Sequence, residues 1–518
     1  MNGAHALLST MGANDVTVCF ANPGTSEMHF VAGLDETDAV RGILCLFEGV
    51  ATGAADGYAR VSGRPAATLL HLGPGLANGW ANLHNARRAR VPLLNIVGDH
   101  ATYHAQYDAP LQSDVAAVAG ALEGWVGRAT HANTIANDTA DAITAAWGPP
   151  GQVATLVLPA DTSWGPVEQP PGRWPLAERR APHDADPAVT AHALERLRAG
   201  RAALFVGGAA VNAEGLALAQ RVARSCDARV IMETFPAVVE RGAGRANPER
   251  LVYLSEFAVS QLADLDTLVL LGTTAPVGFF AYPDLPSVLV PEACEVVDLA
   301  PPGYDAVGVL RHLASELRAP EFVADKGDVP AVPDGALDGG RFAAAVASTL
   351  PEDVVVVDES NTGGLHLFGA TRFAPPHRLL TLTGGSIGFG LPNAVGAAVA
   401  HRGRVLALES DGSAMYTFQA LWTMAREQLD VTVVVLANRS YAILHLERER
   451  VGAVAAGARS RRLLDLDDPV LDFVALAESL SVPACRVSTA EDLVTALRRS
   501  YATPGPSLIE ARMPAGLT

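Results

Sequence analysis

The stretch from Glu409 to Ser440, ESDGSAMYTFQALWTMAREQLDVTVVVLANRS, constrains what this chain can fold into more than any other. It follows an apolar run, Val405 to Leu408, that reads as a strand buried on both faces and that breaks at Ser410-Asp411-Gly412. Gln419 to Gln428 spaces its apolar residues as a helix does, and Val431 to Leu436 makes a second buried strand that ends at Asn438. Strand, helix and strand in this order form a right-handed crossover on a parallel sheet, so Asp411 and Asn438 leave the same carboxyl edge. One oxygen from each then faces a common point. A carboxylate, a side-chain amide and a nearby backbone carbonyl are the oxygen donors that a hard ion such as Mg²⁺ takes beside phosphate oxygens. Gly412 lets the backbone approach an anion closely. An ordinary crossover unit with Asp and Asn at its strand ends has the same pattern, so the stretch alone leaves both readings open.

The rest of the chain has the same α/β rhythm. Its 518 residues call for about three domains. A hydrophobic share of 49% against 18% charged residues describes buried cores, not a disordered chain. The formal net charge of −18 argues against nucleic acid and against anionic membrane surfaces as partners. Cys19, Cys45, Cys226, Cys294 and Cys485 stand singly, without metal-binding or redox spacing. With no basic leader and no long apolar run, a cytoplasmic protein is expected.

In the first region, residues 1–169, Val16 to Phe20 reads as a strand followed by the turn Asn22-Pro23-Gly24-Thr25-Ser26-Glu27. Ile43 to Glu48 reads as a strand ending in a carboxylate, and the small-residue helix Gly49 to Arg60 follows. Such a helix packs closely against another backbone, a subunit interface being one use. Glu48 in that setting is expected to be largely desolvated; a surface glutamate favoured by the helix dipole is the bland alternative. Thr68 to His71 is a further strand ending in His71, followed by a Gly-rich turn and a helix, beside the strand ends that carry Thr25 and Glu48. A lone His at such a place is more often structural than catalytic.

A Pro-rich linker runs from Gln169 to about Ala188, and a second α/β unit spans residues 190–318. Its Gly207-Gly208 turn lacks a full GxGxxG, so FAD is not expected. After a second linker at 319–338, the third region, 340–518, opens with a strand ending at Glu359-Ser360-Asn361-Thr362, a turn whose hydroxyl and amide groups suit diphosphate oxygens. The glycine-rich loop Thr383 to Pro392 leads into a helix, and a helix and a last strand, Ser507 to Glu510, close the chain.

These motifs, in this order along the whole chain, resemble the thiamine-diphosphate (ThDP) enzymes of the acetolactate synthase and benzoylformate decarboxylase family. The 438 − 411 = 27 positions between Asp411 and Asn438 fit that family's cofactor signature, with Ser410 and Ala437 as departures at positions that are not metal ligands. The resemblance implies three doubly wound α/β domains, with similar ThDP-binding domains for the pyrimidine (1–169) and the diphosphate (340–518) flanking a Rossmann-like middle domain (190–318). It assigns Mg²⁺ to Asp411, Asn438 and the carbonyl of Ser440. It assigns the cofactor to Glu48, Asn361, Thr362, Gly385, Ile387, Asp411, Gly412, Ser413, Asn438 and Tyr441. Glu48 would bond the aminopyrimidine and promote its reactive tautomer, and Ile387 would hold the two rings bent. Thr25 and His71 would act on substrate, in a pocket shared with Thr381, Ile443 and Leu444.

The implied activity is decarboxylation of a small 2-oxo acid followed by carboligation to a second carbonyl. Simple decarboxylation of the benzoylformate type is the alternative, and a catalytically silent ThDP-binding partner subunit is the rival from another class. Glu48 and Asp411 meet across a subunit interface in the family, so a homodimer at least, and a homotetramer as the full assembly, are implied. Pro276 to Pro283, where the decarboxylases bring a second His, contains none. Phe279 and Phe280 there would exclude water without donating a proton, which favours carboligation. Pro110-Leu111-Gln112 stands where acetolactate synthases carry Phe-Gln-Glu, so a broad or unusual acceptor range is expected.

Overall fold

The computed structural model describes residues 1–168, 170–453 and 457–516; Gln169, the expected end of the first region, lies outside them. Short runs of Val, Leu, Ile and Ala make the strands, and most are buried along their length, as parallel strands covered on both faces must be. The first sheet holds β1 (Val18–Asn22), β2 (Arg41–Leu44), β3 (Ala66–Leu70), β4 (Leu93–Asp99), β5 (Val126–Arg128) and β6 (Val153–Pro159). All pair in parallel, in the order β2-β1-β3-β4-β6-β5.

The middle region supplies β7 (Ala202–Val206), β8 (Arg229–Met232), β9 (Val238–Arg241), β10 (Glu249–Arg250), β11 (Thr267–Leu271) and β12 (Glu295–Ala300). Five of these form a parallel sheet in the order β10-β8-β7-β11-β12. The sixth, β9, leaves it and lies antiparallel on β14 at the edge of the third sheet. That sheet contains β13 (Val355–Glu359), β14 (His377–Thr381), β15 (Val405–Ser410), β16 (Val431–Ala437), β17 (Ala484–Val487) and β18 (Ser507–Arg512), in the order β17-β18-β16-β15-β13-β14-β9. The three α/β layers match the expected fold class.

Two expectations about local structure are corrected. The strand expected to end at Glu48 stops at Leu44, and Glu48 is instead the first residue of the Glu48–Ser62 helix, half-buried rather than largely desolvated. Leu46 is 46% exposed, so the apolar run that suggested a longer strand is not buried on both faces. The close-packing partner of the small-residue helix is a helix of the same chain, Gly390–Ala400. A Cβ on Gly57 would lie 2.2 Å from the Asn393 carbonyl oxygen, and one on Gly396 would lie 1.8 Å from that of Ala54.

This contact joins the first and third sheets around one apolar core, in which Val50, Ala54 and Phe20 meet Leu391, Val395 and Val433. A buried ion pair sits at its margin. Arg60 Nε and Nη2 hold both Asp56 oxygens at 2.8 and 2.7 Å, and the same guanidinium donates to the Thr381 carbonyl at 2.8 Å and to Thr383 Oγ1 at 3.0 Å. With every donor direction used, the buried charge is compensated and the glycine-rich loop is pinned to the first region.

Candidate active site

Parallel register places the first group of predicted residues. Ser410 pairs with Leu436 across β15 and β16, so Asp411 and Asn438 follow at neighbouring strand ends, as the sequence spacing requires. Asp411 is 2% exposed, and its two oxygens accept the backbone N–H of Gly412 at 2.8 Å and of Arg439 at 2.5 Å. Burial pushes its carboxyl up to about 6 against these two donors. Asn438 Oδ1 accepts the Ser440 N–H at 3.0 Å, which folds the chain so that Ser440 follows Asn438 in one tight turn. Tyr441 lies against Gly412, where a Cβ would be 2.3 Å from its ring. Asn361 joins from β13: its amide donates to Ser410 Oγ and to Ser413 Oγ, both at 3.0 Å. Ser410, a departure from the family pattern, thus ties Asn361 to the strand end, and its own hydroxyl donates to the Glu359 carbonyl at 3.1 Å. Thr362 is half-buried beside them.

One buried carboxylate, an amide oxygen and backbone carbonyls form a hard oxygen donor set, and a carboxylate whose charge burial disfavours is one that a divalent cation would relieve. The residues therefore fit Mg²⁺ with a diphosphate. Asp411, Asn438 and Ser440 would hold the ion, and Asn361 and Ser413 would face the phosphate oxygens.

Beneath this edge lies a feature the sequence did not reveal. Glu359 and Glu409 stand opposite each other on β13 and β15, both in the core. Glu359 accepts the N–H groups of Gly388 at 2.9 Å and Gly390 at 2.6 Å, while neither oxygen of Glu409 meets a donor. Burial raises both carboxyls, Glu359 to about 7 and Glu409 well above the usual carboxylate range, with the Glu359 charge as its second cause. Glu409 is thus the carboxyl that keeps its proton to higher pH, and Glu359, through the two N–H groups it accepts, clamps the glycine-rich loop to the strand ends.

The second group of predicted residues gathers at the carboxyl edge of the first sheet. His71 follows β3, and its Nδ1 lies 2.8 Å from Glu27 Oε2, which also accepts the Gly24 N–H at 2.7 Å. Glu27 is fully buried, and burial raises its carboxyl even though His71 beside it pulls the other way. Gly98 makes room for it, since a Cβ there would be 1.5 Å from Glu27 Oε1. Thr25 is exposed one turn away on the same segment. Glu48 Oε2 accepts from Asn78 at 3.1 Å. Glu27 and Asn78 were missed from sequence. Glu27, three residues after Gly24, has the capping-box spacing that could have flagged it.

The glycine-rich loop connects the two groups only indirectly. The Asn82 amide donates to the carbonyls of Gly49 at 2.9 Å and Gly388 at 3.1 Å, so the turn after Glu48 is tied to the loop that carries Gly385 and Ile387. Gly385 has φ 72°, and a Cβ there would meet the Phe279 ring at 2.5 Å. Ile387 is half-buried against the shared core. Ile443 and Leu444 occupy the first turn of the Ala442–Arg450 helix, with Leu444 44% exposed. Thr381, expected in the pocket wall, is buried in β14 with its hydroxyl donating to Pro236 O at 2.7 Å, so it braces the loop instead of lining open space. Among the described residues no hydrogen bond or ion pair joins the Glu27, Glu48 and His71 group to the Asp411 and Asn438 group.

Residues 1–120 match the family described as thiamine pyrophosphate enzyme, N-terminal TPP binding domain, and residues 362–511 match its C-terminal TPP binding domain. The chain is 53% identical to the "Putative acetolactate synthase large subunit IlvX" of Mycobacterium tuberculosis, over 99% of both chains. It is 30% identical to the benzoylformate decarboxylase of Pseudomonas aeruginosa, over 96% of both. The fold superposes with a TM-score of 0.85 on a ThDP-dependent 4-hydroxybenzoylformate decarboxylase from Rhodococcus jostii RHA1, at 24% identity and full coverage of both chains. Among the described residues no helix is long and apolar enough to cross a membrane. The chain belongs to the thiamine-diphosphate-dependent enzyme family that includes acetolactate synthase and benzoylformate decarboxylase.

Proposed function

We propose that this chain is a ThDP- and Mg²⁺-dependent C–C bond enzyme that decarboxylates a 2-oxo acid and joins the resulting nucleophile to a second carbonyl. ThDP, when bound, supplies the nucleophilic carbon and the electron sink for loss of CO₂. Asp411, Asn438 and the Ser440 carbonyl would hold the metal, Asn361 and Ser413 would orient the diphosphate, and Glu48 would bond the aminopyrimidine and hold a proton there. Among the described residues no hydrogen bond or ion pair joins Glu48 directly to the metal residues, which is in keeping with the family resemblance, in which the two groups meet across a subunit interface and a second copy completes each site. The functional unit is then at least a homodimer.

One observation carries the choice of carboligation. Phe279 packs on Gly385, at the bend of the cofactor loop, and its ring contacts Phe235, Tyr253 and Phe280 with centroids 5.2–5.9 Å apart. This wall sheds water and offers no imidazole. Proton delivery falls to His71, whose ring nitrogen lies 2.8 Å from the Glu27 carboxyl that braces it. An intermediate that is protonated slowly is captured by a second carbonyl more often. The 53% identical relative, named as an acetolactate synthase subunit, supports the same reading.

A benzoylformate-type decarboxylase is the second reading, favoured by the Glu27–His71 pair itself and by the relative of that name. Supplying ThDP, Mg²⁺ and a panel of 2-oxo acids, then measuring CO₂ and the ratio of hydroxyketone to free aldehyde with excess acceptor, decides between them. Hydroxyketone is the expected main product. Aldehyde as the main product would make the chain a decarboxylase, and no CO₂ from any donor would make it a silent partner subunit.

A further inference from the structure

The middle sheet has a ligand edge of its own. In the order β10-β8-β7-β11-β12 the chain runs outward in opposite directions from β7 and β11, and the crevice at such a switch point is where an open parallel sheet takes a ligand. Both strands end in glycine turns in the left-handed region, Gly208 at φ 50° and Gly272 at φ 70°. A cavity of about 540 Å³ opens there, lined also by Thr273, Phe235, Arg88 and Arg90, and this is enough for a nucleoside diphosphate. Arg60 and Arg87 on its wall are taken up by Asp56 and Glu123. Among the described residues Arg88 and Arg90 form no ion pair, so two guanidinium groups face the cavity uncompensated except by one carboxylate.

That carboxylate is Glu233, the residue directly after β8. It reaches across the end of β7: Oε1 accepts the Gly208 N–H at 3.3 Å, Oε2 accepts the Thr273 hydroxyl at 2.9 Å, and a Cβ on Gly207 would lie 2.6 Å from its carboxyl carbon. A glycine-turn N–H, a hydroxyl on the next strand end and two arginines nearby are the donors that bind a phosphate group. Glu233 takes those donors from within. We propose that Glu233 is a resident anion that closes the middle crevice to phosphorylated ligands, and that this one side chain decides whether the cavity is a diphosphate site. The sparse glycine pattern of the turn does not close it. Gly208 and Gly272 already provide the backbone room, and the block is electrostatic and steric.

The test uses the full chain saturated with ThDP and Mg²⁺, so that the diphosphate edge of the third sheet is filled, and titrates inorganic pyrophosphate and ADP by calorimetry. Wild-type protein is expected to show no saturable binding in the millimolar range. Glu233→Ala should bind both probes, and Glu233→Gln, which keeps the shape and removes the charge, should bind at least about tenfold more tightly than wild type, since a like charge is lost from the crevice. Adding Arg88→Ala and Arg90→Ala to either variant should abolish the gain. Wild-type affinity equal to that of the folded Gln variant would overturn the proposal, as would a gain that survives loss of both arginines. The readout requires no turnover, so it stands apart from the reaction proposed above.

Discussion

Replacing Glu409 with Gln should remove a pH dependence of stability that its carboxyl imposes. Burial holds Glu359 up to about 7 from an ordinary value of 4.5, and Glu409 is raised well above the carboxylate range by its own burial and then by the Glu359 charge. The folded pair therefore binds more protons than the unfolded chain from about pH 4.5 upward, and stability falls as pH rises through pH 7 and goes on falling above it while Glu409 keeps its proton. The one extra proton that Glu409 holds across those roughly 2.5 pH units corresponds to about 3 kcal/mol. In Glu409→Gln the side-chain amide donates to Glu359 with no proton required, so the proton that Glu409 must hold in the folded state is no longer taken up, while the burial that raises Glu359 stays the same in both proteins. For a unit the size of the third region, about 3 kcal/mol is roughly 6–12 °C in melting temperature. Thermal unfolding of both proteins from about pH 5 to about pH 8, with chelator and without cofactor, gives the difference between the two curves, and Asp411, common to both, cancels from it. Glu409→Gln should gain on wild type progressively across the window. A difference that stays constant to about 1 °C over the whole range would refute the shared-proton argument.

The remaining expectations concern the chemistry. Asp411→Ala should weaken ThDP binding in the presence of Mg²⁺ at least about a hundredfold, because the diphosphate loses the neutralising ion; calorimetry showing unchanged affinity would remove Asp411 from the metal set. Glu48→Gln should bind ThDP nearly normally yet exchange the thiazolium proton far more slowly by NMR, and exchange at the wild-type rate would end its assigned role. Phe279→His places an imidazole against Gly385 and should shift product from hydroxyketone towards aldehyde severalfold; an unchanged product ratio would show that this wall does not control proton delivery.

What could be read in the sequence was what is local. Strands such as Val431–Ala437 and the turns at Asp411 and Asn438 follow from runs of apolar residues and the residues that break them, and the structure extends β15 and β16 by only one or two positions. The Glu27–His71 contact spans 44 residues and the Glu359–Glu409 pair joins two strands through their register. Both depend on which strands become neighbours, and no local pattern encodes that. Glu409 also looked like a polar residue after a strand, whereas its place inside β15 makes it core. The strands β9 and β17 escaped notice because Val238–Arg241 and Ala484–Val487 are four residues each and mix charged with apolar side chains. Thr381 was misplaced for the opposite reason. A hydroxyl near a glycine-rich loop suggests a pocket, but Pro236, from a distant segment, supplies its acceptor.

The strand β9 bears on how such chains can be rearranged. Val238–Arg241 covers the open edge of His377–Thr381, and Arg241, fully buried, anchors it by donating to Thr371 Oγ1 at 2.9 Å while stacking over Phe368. Exchanging the middle region for an unrelated module would strip that edge and leave a row of backbone donors and acceptors ready to pair with another molecule. The middle region thus has a reason to be inherited with its neighbours that is independent of any ligand in its crevice: it is the hem of the sheet on which the diphosphate edge is built.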